Sequence, residues 1–93
     1  MPATIPVQIP ATRRSECGGK SQLTVSASTV GQALLQLEQD HPAVYRSVCD
    51  ETGAVRRHVH LFVNDDLLRG ERNFDTPLKP GDTLFIMPAV SGG

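Results

Sequence analysis

The sequence lacks the features that mark several classes of protein. Its 9 lysine and arginine residues face 10 aspartate and glutamate residues, so no positive excess favours nucleic-acid binding. No apolar run approaches the ~20 residues that a membrane-spanning helix requires. Residues 1–6 have neither the basic start nor the apolar core of a signal peptide. We therefore expect a cytoplasmic protein that binds neither nucleic acid nor a membrane.

Cysteine is scarce as well. Cys17 and Cys49 do not form a Cys-x-x-Cys pair, and no spacing typical of a zinc or iron–sulfur site occurs. Two reduced thiols fit a cytoplasmic chain better than one disulfide does. His58 and His60 would lie on the same face of a strand, but no further ligand accompanies them. We predict that the chain binds no metal.

The first part of the chain has the pattern of a β-hairpin. Apolar residues alternate along residues 4–9, which is the period of a half-buried strand, and Pro10 should end that strand. Residues 11–20 are polar and contain glycine, so we predict a flexible loop that includes Cys17. Residues 22–26 alternate again and indicate the second strand.

One main helix is predicted to follow. Thr29 and Gln32 have the spacing of a capping box, in which two side chains bond otherwise unpaired backbone N–H groups. Pro42 should end this helix and start a shorter one over residues 43–48, which buries Val44. Four apolar residues recur at helical spacing and predict one buried stripe: Val30, Ala33, Leu34 and Leu37.

Three further strands complete one domain. Residues 57–63 alternate between two faces, residues 67–69 indicate a short strand, and residues 84–87 form the last strand after a turn at 79–82. This order predicts an α+β fold with a mixed sheet of four to five strands and one main helix across one face. Because the helix connects the second strand to the third, we expect these two strands to be parallel neighbours.

One helix covers only one face of such a sheet. The other face should carry large side chains from the third and last strands. Aromatic and methionine side chains together on an exposed face favour a docking surface for a partner protein. The residues predicted to form this surface are His60, Phe62, Phe85 and Met87.

The chain ends on Gly92-Gly93, shortly after the predicted last strand at residues 84–87. Glycine loses the most conformational freedom on ordering and adds no side chain to a core, so this ending is either an ordinary frayed terminus or a functional tail. We divide the chain into a folded domain, residues 1–87, and a flexible tail, residues 88–93.

With this order of elements, the chain resembles the ubiquitin-like β-grasp sulfur carriers. That family contains the small subunit of molybdopterin synthase and the thiamine-pathway carrier. The segments that carry the resemblance are Phe62-Val63-Asn64-Asp65, Pro80-Gly81-Asp82 and Pro88-Ala89-Val90-Ser91-Gly92-Gly93. The resemblance is strongest to the carriers that supply sulfur for cysteine biosynthesis in actinobacteria.

The resemblance implies that the chain is a substrate of enzymes and not itself an enzyme. An ATP-dependent enzyme of the ubiquitin-activating type would adenylate the Gly93 carboxylate, and a sulfur donor would convert the adenylate into a thiocarboxylate. A sulfur-accepting synthase, cysteine synthase-like or from another pathway, would then use the terminal sulfur. ATP belongs to the activating enzyme, so the chain holds no cofactor, and we expect a monomer when it is free. The residues expected to thread into the partner enzymes are Pro88, Ala89, Val90, Ser91 and Gly92.

Three alternatives remain open at this point. As the small subunit of molybdopterin synthase, the chain would hold the same thiocarboxylate inside a large partner subunit. As a ubiquitin-like modifier, it would form isopeptide bonds with lysines. As an interaction module alone, it would use the sheet face and not the tail.

Overall fold

A computed structural model describes residues 3–68 and 74–88, apart from the side chains of Arg13 and Pro88. Within those ranges the chain forms five strands and two α-helices. The strands are β1 (Ala3–Gln8), β2 (Gln22–Ala27), β3 (Val59–Val63), β4 (Asp66–Leu68) and β5 (Leu84–Pro88). The helices are α1 (Val30–Asp40) and α2 (Pro42–Val48), and a 3-10 helix spans Ala11–Cys17. No helix in the described ranges has the length and apolar character needed to span a membrane.

The five strands form one mixed sheet in the order β2-β1-β5-β3-β4. β1 pairs antiparallel with β2 and parallel with β5, and β3 pairs antiparallel with both β5 and β4. The predicted mixed sheet is confirmed, but the prediction that β2 and β3 are neighbours is wrong. β5 lies between β1 and β3, and at this central position its apolar side chains Leu84 and Ile86 are buried.

The connection between β1 and β2 differs from the predicted loop. Ala11–Cys17 forms a 3-10 helix that ends at Gly18, where the backbone is left-handed with φ 73°. Cys17 is buried, and its thiol lies 3.5 Å from the Arg14 carbonyl oxygen and 3.3 Å from that of Lys20. The prediction of a flexible loop around Cys17 is therefore wrong, because its burial and hydrogen bonds fix the segment to the core.

The predicted buried stripe of α1 is confirmed, but the predicted capping box at the start of the helix is only partly formed. Val30, Ala33, Leu34 and Leu37 are all buried. The Thr29 hydroxyl accepts a bond from the Gln32 N–H at 3.2 Å, as a capping residue does. The Gln32 side-chain oxygen, however, accepts from the Ser28 N–H at 2.8 Å, one residue earlier than a capping box requires. Pro42 begins α2, and Val44 is buried as predicted.

β3 is shorter than predicted. It begins at Val59, because the Val59 N–H donates to the Arg56 carbonyl at 3.0 Å and closes a turn that contains Arg57 and His58. The alternation within the strand is confirmed. Val59, Leu61 and Val63 are buried beneath the helices, and the residues between them face the other way.

The start of α1 lies against a backbone segment that precedes β5. The Gly31 N–H donates to the Phe74 carbonyl at 2.9 Å. A Cβ atom at position 31 would lie 2.9 Å from Phe74 Cβ and 3.1 Å from its carbonyl oxygen. Glycine is therefore required here by the close approach of two backbones.

Two turns at the same end of the sheet are joined by side chains. Asn64, which has a left-handed backbone (φ 56°), donates from its side-chain amide to Asp82 at 2.9 Å and accepts from the Thr83 N–H at 3.1 Å. Asp82 also accepts from the Lys79 N–H at 2.9 Å. Asp82 thus holds the predicted turn at 79–82 against the end of β3, and this contact sets where β5 begins.

Replacing Gly31 with alanine should destabilise the protein, although alanine is the better helix former by about 1 kcal/mol. Fitting the added Cβ against the Phe74 backbone should cost about 1–3 kcal/mol. Urea denaturation followed by circular dichroism measures the change. Q39A, at an exposed position of the same helix, is the control and should unfold at or above the parent midpoint. A G31A variant as stable as the parent would contradict the close approach.

The contacts of Asp82 should make stability depend on pH. The Lys79 N–H, and then the Asn64 amide, hold the pKa of Asp82 below its ordinary value. The folded state therefore binds fewer protons than the unfolded chain, so this stabilisation is complete above the ordinary aspartate pKa of about 3.9 and is lost as pH falls through the lowered pKa.

The D82N variant should consequently lose less of its urea midpoint than the parent when pH is lowered from about 5 to 3. Some loss of the urea midpoint at low pH should remain in D82N, because the pKa of Asp50 is also lowered, chiefly by a bond from the Thr52 hydroxyl. D50N should also reduce the dependence of the urea midpoint on pH, and the D50N/D82N double variant should reduce it more than either single variant. Identical pH profiles for D82N and the parent would rule out the contribution of Asp82.

Candidate functional site

The four predicted docking residues form two cross-strand pairs on the face of the sheet opposite the helices. His60 is the register partner of Met87, and Phe62 is the partner of Phe85. Directly opposed side chains in an antiparallel pair lie close enough to contact each other. The structure therefore brings all four residues together. We call this side of the sheet the open face.

The large side chains of the open face are incompletely covered. Met87 is 44% exposed, His60 is exposed, and both Phe62 and Phe85 are half-buried. The alternating residues of β3 and β5 on the buried face, by contrast, are at most 7% exposed. The alternation of β3 and β5 thus supplies the core with one set of side chains and the open face with the other.

Two members of this surface were not predicted. Leu67 in β4 is the register partner of Phe62, and Gln8 in β1 is the partner of Phe85. The row continues to β2, where the Gln22 side-chain oxygen accepts from the Gln8 amide at 2.6 Å. The sequence predicts the short fourth strand that contains Leu67. Which face of the sheet Leu67 occupies depends on the pairing register of β4, which sequence spacing does not reveal.

The open face has an apolar half and a polar half. The apolar half consists of β5, β3 and β4, and we call its large side chains the docking patch: His60, Phe62, Leu67, Phe85 and Met87. The polar half carries exposed Gln22, Thr24 and Ser26 on β2. Apolar side chains concentrated on one half are typical of a protein-binding surface.

Two residues of the docking patch, Phe85 and Met87, lie on β5, the strand that leads toward the C-terminus. β5 ends at Pro88, whose register partner is Val59. Pro88 was assigned to the tail, but its backbone belongs to the strand, at a terminal position where proline is tolerated in a sheet. Residues 89–93, which include the predicted reactive Gly93 and Ala89, Val90, Ser91 and Gly92, lie outside the described residues.

A groove of about 480 Å³ borders the docking patch on its β1 side. β1 pairs with β5 only at Leu84 and Phe85. After β1 ends at Gln8, the backbone continues into the 3-10 helix at Ala11 and no longer pairs with β5. One wall is formed by Pro10, Ala11, Thr12 and Arg14, and the other includes Phe85 and Met87. The groove therefore runs beside the last residues of β5.

The metal-binding arrangement considered for the two histidines is absent. His58 lies in the turn before β3, so it does not share a strand face with His60. Within residues 3–68 and 74–88, no three histidine, cysteine, aspartate or glutamate side chains come together as metal ligands do.

Both cysteines are free and buried. Burial raises the pKa of the Cys49 thiol to about 11, so this thiol is protonated at neutral pH. Burial also raises the pKa of its neighbour Tyr45. Because the thiolate is the nucleophilic form of cysteine, Cys49 is poorly suited to accept or transfer sulfur. Cys17 is enclosed by the 3-10 helix and does not present its thiol to solvent.

A second apolar cavity, of about 330 Å³, lies on the helical side of the molecule. It is lined by Leu34, Leu35, Tyr45 and Phe74 and by two glycines. Leu35 is 57% exposed at its edge. No residue of the docking patch lines this cavity, so it is separate from the open face.

The fold and the sequence were compared with known proteins. The ThiS family model matches residues 7–93, a range that reaches the terminal glycine. Sulfur carrier protein CysO of Mycobacterium tuberculosis (strain ATCC 25618 / H37Rv) is 31% identical over 91 residues, which cover 96% of this chain and 98% of that protein. These two matches span the domain and the tail alike.

Two solved structures have the same arrangement of elements. The crystal structure of the Amycolatopsis orientalis BexX/CysO complex contains a chain that superposes with a TM-score of 0.82 at 30% identity, covering 96% of this chain and 99% of that one. Small archaeal modifier protein 1 of Methanosarcina acetivorans gives a TM-score of 0.80 at 27% identity, covering 100% and 99%. The protein therefore belongs to the ThiS family and has the ubiquitin-like β-grasp fold that its sequence predicted.

Proposed function

We propose that this protein is a sulfur carrier that bears sulfur as a thiocarboxylate on Gly93. The observation that carries the proposal is the family match, which extends through Gly92-Gly93 to the last residue. The relative from Mycobacterium tuberculosis, similar over nearly its whole length, is named a sulfur carrier protein. We further propose that the sulfur serves cysteine biosynthesis or the synthesis of another sulfur metabolite.

The chemistry requires activation by another protein. A carboxylate is a poor electrophile until one oxygen becomes a leaving group. An ATP-dependent enzyme of the ubiquitin-activating type supplies that change: a carboxylate oxygen of Gly93 attacks the α-phosphorus of ATP and pyrophosphate leaves. Sulfur from a donor then attacks the acyl carbon and displaces AMP, which leaves the thiocarboxylate. The carrier provides the reacting group and catalyses no step itself.

The position of Pro88 in the sheet supports this role, because the residue that precedes 89–93 is fixed by strand pairing. β5 pairs with β1 at Leu84 and Phe85, and it pairs with β3 from Leu84 to Pro88. Five extended residues beyond Pro88 reach about 16 Å, enough to enter a narrow active-site channel. Glycine at positions 92 and 93 lets backbone and carboxylate approach the nucleotide closely. The buried cysteines, by contrast, present no exposed thiolate for sulfur transfer.

The docking patch would hold the partner enzymes while the tail reacts. We propose that the adenylating enzyme and a sulfur-accepting synthase bind this patch in turn, since both must receive the same tail. The chain of the BexX/CysO complex, which this protein resembles, is seen with a partner protein. A free monomer in the cytoplasm, holding no cofactor of its own, fits this exchange of partners.

Isopeptide modification of other proteins is a second candidate, supported by the similarity to small archaeal modifier protein 1. The 27% identity to that protein is lower than the 31% identity to CysO. The thiocarboxylate role is therefore favoured, and the role of molybdopterin synthase small subunit differs from it only in the acceptor. High-mass conjugates with lysine side chains would identify a modifier.

Incubation with the cognate adenylating enzyme, ATP and a sulfide source should replace one terminal oxygen with sulfur, which intact-protein mass spectrometry detects. Deleting Gly93, or adding one alanine after it, should abolish the exchange because the carboxylate is then misplaced in the channel. Both variants should unfold at the parent urea midpoint. An unchanged mass for the parent, or full exchange in the deletion variant, would refute the proposal.

Substituting alanine for Phe62 or Phe85 should weaken binding of the adenylating enzyme about tenfold or more, as expected when a buried aromatic anchor is lost. Thr24→Ala, on the polar half of the same face, should bind like the parent. Isothermal titration calorimetry compares the variants. If deletion of Gly92-Gly93 leaves this binding unchanged while F62A and F85A abolish it, the protein is an interaction module.

A further inference from the structure

The charged residues near the open face are separated by sign. Among the positions of the five strands that point to this face, the only ionisable side chain described is His60. Charges instead lie at the two ends of the sheet. We call the end where β5 finishes at Pro88 the tail end, and the end where it begins at Leu84 the far end.

At the tail end, two arginines flank the last residues of β5. Arg14 lines the groove beside Met87, and its Nε donates to the Ile9 carbonyl at 3.2 Å, which fixes the side chain at that wall. On the opposite side, Arg57 is exposed in the turn that leads into Val59, the register partner of Pro88. The backbone of Pro88, the last residue of β5, therefore lies between two positive side chains.

At the far end the balance is reversed. Asp65 and Asp66 are exposed where β3 connects to the start of β4, and Asp82 lies two residues before β5. Lys79 is a nearby positive group at this end. Elsewhere in the described residues, Glu16 of the 3-10 helix accepts a bond from the Ser47 hydroxyl. Glu38, Asp50 and Glu51 line a separate cavity together with Arg46 and Arg56, which offset their charge.

We propose that the adenylating enzyme recognises the tail end by charge, with carboxylate side chains around the mouth of its tail channel placed opposite Arg14 and Arg57. This inference rests on the proposed function and specifies the partner surface. The docking patch contributes apolar contact but no direction, because it is nearly uncharged. The arginines on either side of the tail supply the direction, so that the domain arrives with Pro88 facing the channel.

Such an arrangement acts mainly on the rate of association. The chain as a whole has a net charge of −1, so overall attraction or repulsion is small. Two neighbouring positive charges still orient the collision of two proteins when the partner carries acidic groups opposite them. Salt screens this effect, because the Debye length falls from about 30 Å at 0.01 M to about 3 Å at 1 M ionic strength.

The test compares two substitutions that remove the same charge from opposite ends of the full-length protein. R57Q neutralises an exposed arginine at the tail end, and K79Q neutralises an exposed lysine at the far end. Stopped-flow association with the cognate adenylating enzyme should be about three- to tenfold slower for R57Q at low salt. K79Q should associate as fast as the parent or slightly faster. At 1 M salt the three proteins should converge.

Two further variants sharpen the comparison. R57E should slow association more than R57Q, and R57K should restore the parent rate because it retains the charge. Equal rates for R57Q and K79Q at low salt would overturn the inference. So would faster association of R57Q, which would indicate that Arg57 holds the carboxylate of its own tail.

The two proposals fail in distinguishable ways. If the parent acquires the terminal sulfur but R57Q and K79Q associate equally fast, the charge inference is wrong and the sulfur-carrier function stands. If the parent acquires no sulfur, the proposed function is wrong, whatever the association rates show.

Discussion

The structure depends on the pairing of β5 between β1 and β3. β5 is the last element of the chain, yet it lies at the centre of the sheet, and Leu84 is fully buried. The sheet closes only when this C-terminal segment has inserted between strands that come from the two earlier parts of the chain. The same strand carries the tail, so the core and the point where the tail starts are fixed by one set of contacts.

Strand alternation divides the side chains of β5 between the core and the open face. Leu84 and Ile86 face the helices, while Phe85 and Met87 face outward beside Phe62 and His60. A slip of one residue would exchange the two sets, burying the docking patch and exposing the core. The contact between Asn64 and Asp82 acts against such a slip, because it joins the end of β3 to the turn that precedes β5.

The two ends of the sheet have different roles. The far end contains Asp65, Asp66, Asp82 and the first turn of α1, which Gly31 allows to approach Phe74 closely. The tail end has the groove beside the 3-10 helix and the two arginines. Contacts that stabilise the domain and the groups proposed to meet a partner are thus separated along β5.

The sequence by itself determined the local elements: the helix stripe from Val30 to Leu37, the break at Pro42, the alternation of β3 and the turn before β5. Each of these depends on residues within a few positions of one another. Only the tertiary structure decided that β5 lies between β1 and β3, that Cys17 is buried in a 3-10 helix, and that Leu67 and Gln8 join the open face. Those features depend on which distant segments bury each other's apolar side chains, and local periodicity carries no information about pairing partners far apart in the chain.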